Sequence, residues 1–406
     1  MSGRHKTAGP SLTAMLVLLS FVGPFALQIF LPSMPGLIKV FETDHAGVQL
    51  TISLYLATFA CAQLCLGPLS DRFGRRRIIL AGLAIYVVSP VICANAPNIE
   101  TLVAGRMLQA IGACSGLMFA RVVARDLHGR DRAAGVIGFV TMATALLGSA
   151  TPLLGGWIDV FLGWRASFWV ASGFGVVVFC ITLVWFPETH PGGRENDVVT
   201  TFRQGFQLLR SPVFLGYAGH GACTLSAWYA MLAGLPFVMV EVLGQALTAY
   251  GLYFPLLSLG YMVGNLVTAR YAEKLGIHRL LGGGTGLALA ACLVMFVWCL
   301  SPELAPLALF LPMGVIALGH GLSQPAATSG AIGIDPTVAG SAAGFMGFGQ
   351  WLIAAVTSQM VGMLQDGTVW PTVVVVICFS VLSLLSYGFA RWGEKRALDS
   401  PLSSGP

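Results

Sequence analysis

Few side chains within the long apolar stretches of this sequence can carry charge or form several hydrogen bonds. Arg106 and Gln109 share one such stretch, and Gln28 lies in another. In the second half of the chain, His220 and His320 occupy similar apolar surroundings. Arginine and glutamine suit the binding of a polar small molecule, and histidine suits proton transfer. Ionisable groups are costly in such surroundings, which makes these residues candidates for function.

The composition predicts that these stretches lie in a membrane. Charged residues make up 10% of the chain, hydrophobic residues make up 56%, and the mean hydropathy is +0.80. Soluble domains carry roughly 25% charged residues and could not hide so much apolar surface. The net charge of +5 arises from short loops between apolar runs. It therefore indicates membrane topology and does not predict nucleic-acid binding.

The apolar runs predict an all-α membrane protein with twelve transmembrane helices. A span needs about 20 apolar residues. One long polar segment, 188–212, divides the chain into two predicted six-helix bundles, 1–187 and 213–406, and forms a cytoplasmic loop between them. The predicted spans are 12–35, 48–69, 78–96, 101–124, 134–158, 166–186, 213–240, 248–271, 280–300, 307–332, 341–364 and 372–390.

The distribution of basic residues predicts the orientation. Of the 22 Lys and Arg residues, 18 lie on one side of the predicted membrane, and only Lys39 and Arg165 lie in loops on the other. Basic loops remain in the cytoplasm. We therefore expect both termini to be cytoplasmic.

Several candidate residues also have a purely structural interpretation. Arg106 lies near one end of its predicted helix, from which it could reach the membrane interface. His220 and His320 could be hydrogen-bonded packing residues. Trp228 and Tyr229 could offer stacking surface to a substrate, or they could pack in the membrane core.

The sequence lacks the short patterns of common enzymatic sites. It contains no GxxxxGK[ST] loop, no HExxH motif and no pair of carboxylates within a span. Its nine cysteines lie in apolar runs without zinc-ligand spacing. We expect no metal, no cofactor, no enzymatic activity and no use of ATP.

The most charged short segment is GPLSDRFGRRR, residues 67–77, between the second and third predicted spans. Its arginines would hold the loop at the cytoplasmic surface. Topology alone could explain them, but it does not explain Asp71, because acids contribute little to orientation. A shift of 202 residues aligns 71–74 with the acid-base-apolar-glycine run 273–276, which suggests internal duplication.

An ordered series of motifs resembles the major facilitator superfamily, and within it the drug exporters of the bicyclomycin/chloramphenicol-resistance (Bcr/CflA) type. The resemblance extends over essentially the full length. The motifs are Gly67-x-Leu69-x-Asp71-Arg72-x-Gly74-Arg75-Arg76, Arg106-Met-Leu-Gln109-Ala-Ile-Gly112, Arg125-Asp126-Leu127, Gly163-Trp164-Arg165, Pro187-Glu188-Thr189 and Pro236-Phe-Val-Met-Val-Glu241-Val-Leu-Gly244.

The resemblance implies roles for the segment 67–77, here named the signature loop. The matching aspartate in the family anchors a latch between the two halves, with a basic residue of the fourth span as partner. Arg121 or Arg125 would be that partner here. The expected gating and latch residues are Gly67, Asp71, Arg72, Gly74, Arg75, Arg76, Arg121 and Arg125.

Two further segments match the family with one departure each. Thr151-Pro152-Leu-Leu-Gly155-Gly156 resembles the antiporter motif, in which Pro152, Gly155 and Gly156 would bend the helix, although Thr151 replaces the usual glycine. The run after Gln28 matches the first-span signature, but the family usually has an aspartate at Gln28. None of the 17 acidic residues is predicted at mid-membrane depth.

The resemblance and the missing acid together predict a secondary active exporter in a bacterial inner membrane, monomeric and driven by proton antiport. Its cargo would be a small drug-like molecule that is neutral or non-cationic. The expected substrate-binding residues are Gln28, Arg106, Gln109, Trp228, Tyr229 and His320. The proton-coupling candidates are His320, Glu241 and Asp71. An exporter of an endogenous metabolite is the main alternative, followed by a non-transporting receptor.

Overall fold

The computed structural model describes residues 10–189, 203, 205–301, 303–334 and 338–398. Within these ranges the chain is helical and forms no strand. The side chains of Arg121 and Arg125 lie outside what the structure describes, so their predicted role as latch partners stays a prediction.

The first half contains six α-helices of very different lengths, joined by short connections. A 3₁₀ turn, Leu31–Ser33, links the first two. The helices are α1 (Pro10–Gln28), α2 (Met34–Val40), α3 (His45–Phe73), α4 (Arg75–Ala94), α5 (Ile99–Leu162) and α6 (Trp164–Trp185).

The second half is likewise helical. A π-helical turn, Val238–Val242, follows its first helix. The helices are α7 (Pro212–Phe237), α8 (Leu247–Tyr253), α9 (Pro255–Trp298), α10 (Pro306–Ile332), α11 (Ala339–Leu364) and α12 (Trp370–Leu398).

Ten helical stretches of the described chain are long and apolar enough to cross a membrane. This number differs from the predicted twelve for two physical reasons. The stretch Thr248–Trp298 is counted once but breaks at Gly276, where φ is 74°. Helix α11 is not among the ten, because glycines and polar residues such as Ser358 and Gln359 reduce its hydropathy. Each predicted span nevertheless overlaps a helix, and the prediction of an all-α membrane protein is confirmed.

Helices of each predicted half pack mainly with one another. In the first half α5 packs against α1, α3 and α4, and in the second α9 packs against α10 and α7 against α12 and α11. Contacts between the halves run through α3 with α11 and through α5 with α8 and α9. The division into two bundles remains a prediction. We call the side that carries the signature loop the basic face and the other side the opposite face.

Glycines allow the closest helix contacts. A Cβ added at Gly112 would lie 2.6 Å from the carbonyl oxygen of Gly82, and one at Gly264 would lie 2.2 Å from that of Leu318. Such spacings require glycine, because a side chain would enter the neighbouring backbone. Gly264 therefore fixes the approach of α9 to α10.

We expect Gly264→Ala to destabilise the protein, because the added methyl group must displace the backbone of α10 at a cost of about 1–3 kcal/mol. Thermal unfolding of the purified protein in detergent should shift downward by several degrees, on the order expected for such a loss. Gly286→Ala on the same helix is the control, since nothing lies within 4 Å of its added Cβ. Equal melting temperatures for both variants would contradict the packing argument.

Candidate functional site

Arg106 points into the interior of the first half and is fully buried. Its Nη1 donates to the carbonyl oxygen of Ala26 at 3.0 Å and to Oε1 of Gln109 at 2.5 Å. Its Nε donates to the carbonyl oxygen of Thr51 at 3.4 Å. The guanidinium thus joins α1, α3 and α5. The alternative in which Arg106 extends to the membrane interface does not match this geometry.

Two aromatic rings cover the faces of the guanidinium. Its central carbon lies 4.6 Å from the ring centroid of Tyr55 and 5.0 Å from that of Phe30. Cation–π attraction is strongest where the cation is desolvated, as Arg106 is. Sequence reasoning missed both rings, because an aromatic residue in an apolar helix gives no sign of which neighbour it will face. We call Arg106, Gln109, Tyr55 and Phe30 the Arg106 site.

The Arg106 site has hydrogen-bonding capacity left over. Nη2 of Arg106, Nε2 of Gln109 and the hydroxyl of Tyr55 are buried and have no hydrogen-bond partner among the described residues. No Asp or Glu is among the buried side chains that the structure describes. A buried unpaired donor costs about 1–3 kcal/mol. The site is therefore suited to a ligand that offers oxygen acceptors.

Gln28, at the end of α1, lies against α5. A Cβ added at Gly148 would come within 2.8 Å of its Oε1, and that oxygen is buried without a partner. Pro152, one turn further along α5, cannot bond to the carbonyl of Gly148. Gly155 approaches the carbonyl oxygen of Ile29 so closely that an added Cβ would lie 2.2 Å from it. Gly148 and Gly155 of α5 therefore pack against Gln28 and Ile29 at the end of α1. The bending role of Pro152, Gly155 and Gly156 stays a prediction.

A row of aromatic rings runs from the Arg106 site into the second half. Tyr55 and Phe59 lie 6.4 Å apart between ring centroids, and Phe59 lies 4.6 Å from Trp351 of α11. Trp351 in turn lies 5.6 Å from Tyr229 of α7. The sequence did not indicate Phe59 or Trp351, although the spacing of Tyr55 and Phe59 places them on one helix face.

The two aromatic residues predicted on α7 point in different directions. Tyr229 ends the aromatic row between the halves. Trp228 instead packs on Phe254 and Tyr261, with ring centroids 6.5 and 5.8 Å away. The structure therefore brings Tyr229, but not Trp228, toward the Arg106 site.

The two histidines of the second half differ in their bonding. His220 donates through Nδ1 to the carbonyl oxygen of Ser383 at 3.0 Å, which is the arrangement of a packing residue. His320 is buried and neither ring nitrogen has a hydrogen-bond partner among the described residues. Gln324, one turn away on α10, also has an unpartnered buried oxygen. His320 therefore retains capacity for a ligand or a proton relay.

Polar contacts between the halves close the opposite face. Gln49 donates to Oγ of Ser358 at 2.6 Å, and Ser53 donates to Oε1 of Gln359 at 2.7 Å. Glu241, in the π-helical turn after α7, also lies at this face. Its carboxylate contacts Nε2 of His45, the first residue of α3, at 2.8 Å. The residues of the Arg106 site are fully buried. The structure therefore shows a state in which the Arg106 site is closed to solvent from the opposite face.

The signature loop turns at Gly74, where φ is 93°, a conformation that favours glycine. Asp71 lies 3.6 Å from the guanidinium of Arg75, one turn away. Arg75 is buried, whereas Arg72 and Arg77 are exposed. The arginines of the signature loop are therefore not equivalent. Arg75 packs with Asp71, whereas Arg72 and Arg77 are exposed, as expected of residues that only set the membrane orientation.

Glu188, just after α6, holds the end of the signature loop. Its carboxylate accepts hydrogen bonds from the backbone N–H groups of Arg75 and Arg76, at 3.1 and 3.3 Å. An anion at a helix N-terminus is favoured by the helix dipole. Nη2 of Arg76 also donates to the carbonyl oxygen of Leu183 at 2.7 Å. The loop is thus fastened to the last turn of α6 and to the segment that follows it.

Comparison with known proteins agrees with the motifs. The family model of the Major Facilitator Superfamily matches residues 16–358. The chain is 27% identical to the chloramphenicol resistance protein of Pseudomonas aeruginosa, over 95% of this chain and 92% of that protein. It is 24% identical to the bicyclomycin resistance protein homolog of Haemophilus influenzae, over 92% of this chain and 94% of that protein.

The fold also matches solved transporters. The structure of a mutant of the peptide transporter POT in complex with alafosfalin superimposes with a TM-score of 0.76 at 15% identity and covers 96% of each chain. The predicted resemblance is confirmed, and the chain is a membrane transporter and not an enzyme. It belongs to the major facilitator superfamily, and its relatives place it with the bicyclomycin/chloramphenicol-resistance type.

Proposed function

We propose that this transporter exports small drug-like molecules that are neutral, zwitterionic or anionic, in exchange for protons. The observation that carries the proposal is the buried guanidinium of Arg106 with no Asp or Glu among the buried side chains that the structure describes. A lipophilic cation approaching this site would meet like charge in apolar surroundings, where repulsion is poorly screened.

The chemistry of the Arg106 site favours cargo with oxygen acceptors and an aromatic or apolar body. Unpaired N–H groups of Arg106 and Gln109 would donate to carbonyl, nitro or carboxylate oxygens. The rings of Tyr55, Phe59 and Trp351 provide stacking surface from the first half to the second. Relatives named for resistance to chloramphenicol and bicyclomycin support drug-like cargo.

Proton coupling would run through His320. Gln28 occupies the position where the resembling family has an acid, and it cannot titrate. Asp71 lies in the signature loop and Glu241 at the opposite face, so neither adjoins the Arg106 site. His320 combines a buried position with two unpartnered nitrogens. Histidine is also the side chain that ordinarily changes charge near neutral pH.

We further propose that the basic face is cytoplasmic and the opposite face is outer, in a bacterial inner membrane and as a monomer. The excess of Lys and Arg on the basic face supports this orientation. In this orientation, the contacts between α3 and α11 close the opening between the halves on the outer side, here named the outer mouth. Export of an endogenous metabolite is the second candidate function. Resistance to a broad drug panel in cells lacking their own pumps would distinguish the two.

The cargo is tested in proteoliposomes with a neutral amphenicol and with ethidium, between about pH 5.5 and 8. We expect proton-driven transport of the amphenicol and little transport of ethidium. His320→Gln should abolish the dependence on the proton gradient, whereas His278→Gln, a change at an exposed histidine, should not. Strong proton-driven ethidium transport that tolerates His320→Gln would overturn both parts of the proposal.

Arg106 is tested by a pair of substitutions. A lysine carries its donors on a single nitrogen and has no planar face to lie against the rings of Tyr55 and Phe30. We therefore expect both Arg106→Lys and Arg106→Ala to lose at least about tenfold in transport rate, a loss of about 1.4 kcal/mol or more. Arg165→Lys is the control, because Arg165 is exposed. Full activity of Arg106→Lys would reduce the role of Arg106 to that of a positive charge.

The orientation is tested by reporter fusions. We expect a cytoplasmic reading for a reporter after Pro406 and for one within 188–212, and an external reading for one near Pro302. Expression levels of each fusion serve as the control for insertion. A C-terminal reporter read as external would contradict the predicted twelve-span topology.

A further inference from the structure

One contact between the halves at the opposite face differs from the others in kind. His45, at the start of α3, and Glu241, in the π-helical turn after α7, are 196 positions apart in the chain, yet their side chains meet at 2.8 Å. The neighbouring contacts, Gln49 with Ser358 and Ser53 with Gln359, are neutral. Unlike these two, the His45–Glu241 contact joins two titratable side chains across the halves.

The surroundings of His45 fix the ring while leaving it reachable from solvent. Phe237, at the end of α7, meets the imidazole edge to face, with ring centroids 5.1 Å apart. Gln359 of α11 donates to the carbonyl oxygen of Ala46, and Gly362 lies against the backbone of His45. The side chains of His45 and Glu241 are 28% and 32% exposed. Solvent protons at this face can therefore reach the pair without a change of state.

Few other charges lie near the pair. Asp44 caps α3 by accepting a hydrogen bond from the N–H of Gly47 at 2.7 Å. Lys39 and Glu42 are exposed on the segment before α3. Helix α11 and the first turn of α12 carry no acidic or basic side chain, and Asp366 in their connection accepts hydrogen bonds from Thr368. Glu241 is therefore the carboxylate in direct contact with the imidazole.

We propose that His45 and Glu241 form a proton-sensitive clasp that holds the outer mouth closed when the external medium is acidic. The name outer rests on the orientation proposed above. A neutral imidazole donates an ordinary hydrogen bond to the carboxylate, and a protonated one adds Coulombic attraction across the same 2.8 Å. When the halves separate, this added attraction is lost.

The direction of the effect follows by linkage. Because the proton on His45 is favoured only while Glu241 is in contact, binding of external protons favours the closed mouth. The pair is partly exposed, so we expect a two- to fivefold change in the ratio of closed to open molecules, as for other solvent-screened pairs. For an exporter, this bias would return the emptied transporter to its inward-open side.

The clasp is tested by measuring the distance between spin labels across the outer mouth. Val40 and Gln245 are exposed and uncharged and lie on opposite halves, so cysteines there leave the local charge unchanged. The labels are placed in a background in which the nine native cysteines are replaced by serine. Pulsed electron–electron distances are recorded without substrate between about pH 5.5 and 8. Because no substrate is present, the result does not depend on whether the proposed cargo is correct.

We expect the short-distance population to decrease as the pH rises in the otherwise unchanged protein. His45→Gln keeps a hydrogen-bond donor but cannot titrate, and it should remove the pH response. His45→Lys should keep the mouth closed throughout the range. Ser358→Ala, which breaks a neutral bond in the same interface, should shift the populations while preserving their pH dependence.

Two results would overturn the proposal. A pH response that persists in both His45→Gln and Glu241→Gln would assign the sensor to another group. A distance distribution that is constant from about pH 5.5 to 8 in the unchanged protein would show that the contact has no gating role. If His45→Gln does not fold, Glu241→Gln gives the same test from the other side of the contact.

Discussion

The first half is built around the guanidinium of Arg106, which is sealed from solvent with no Asp or Glu among the buried side chains that the structure describes. Arg106 satisfies part of its hydrogen-bonding capacity with carbonyl oxygens of α1 and α3 and with Gln109, and it rests between the rings of Tyr55 and Phe30. These contacts spread the cost of burial over three helices. The first half is thereby held around one positive charge, and the remaining donors define what kind of molecule can join it.

The contacts between the halves have the opposite character. At the opposite face they include single hydrogen bonds between serine and glutamine side chains, each worth about 0.5–1.5 kcal/mol. Such bonds can be exchanged for water at little net cost, whereas separating the close glycine contacts within each half would lose extensive backbone packing. Rigid halves joined by exchangeable bonds have the mechanical properties that alternating access requires.

The sequence predicted the helical architecture well because apolar length and loop charge are local properties. It also predicted that Arg106 and Gln109 act together, since side chains three positions apart on a helix lie on the same face. It could not predict that Tyr229 faces the other half while Trp228 faces α9, because helical spacing alone does not choose between neighbours. His45 was missed because its partner is 196 positions away and neither residue interrupts an apolar run.

The polar residues of α11 have a consequence for how the chain enters a bilayer during synthesis. Gln350, Ser358, Gln359 and several glycines lower the mean hydropathy of α11, which is not among the ten described stretches apolar enough by composition to cross a membrane. The hydrogen bonds of Ser358 and Gln359 go to Gln49, Ser53 and Ala46 of α3, which is synthesised some 300 residues earlier. Insertion of α11 is therefore favoured once α3 is in place, because α3 offers hydrogen-bond partners that lipid does not.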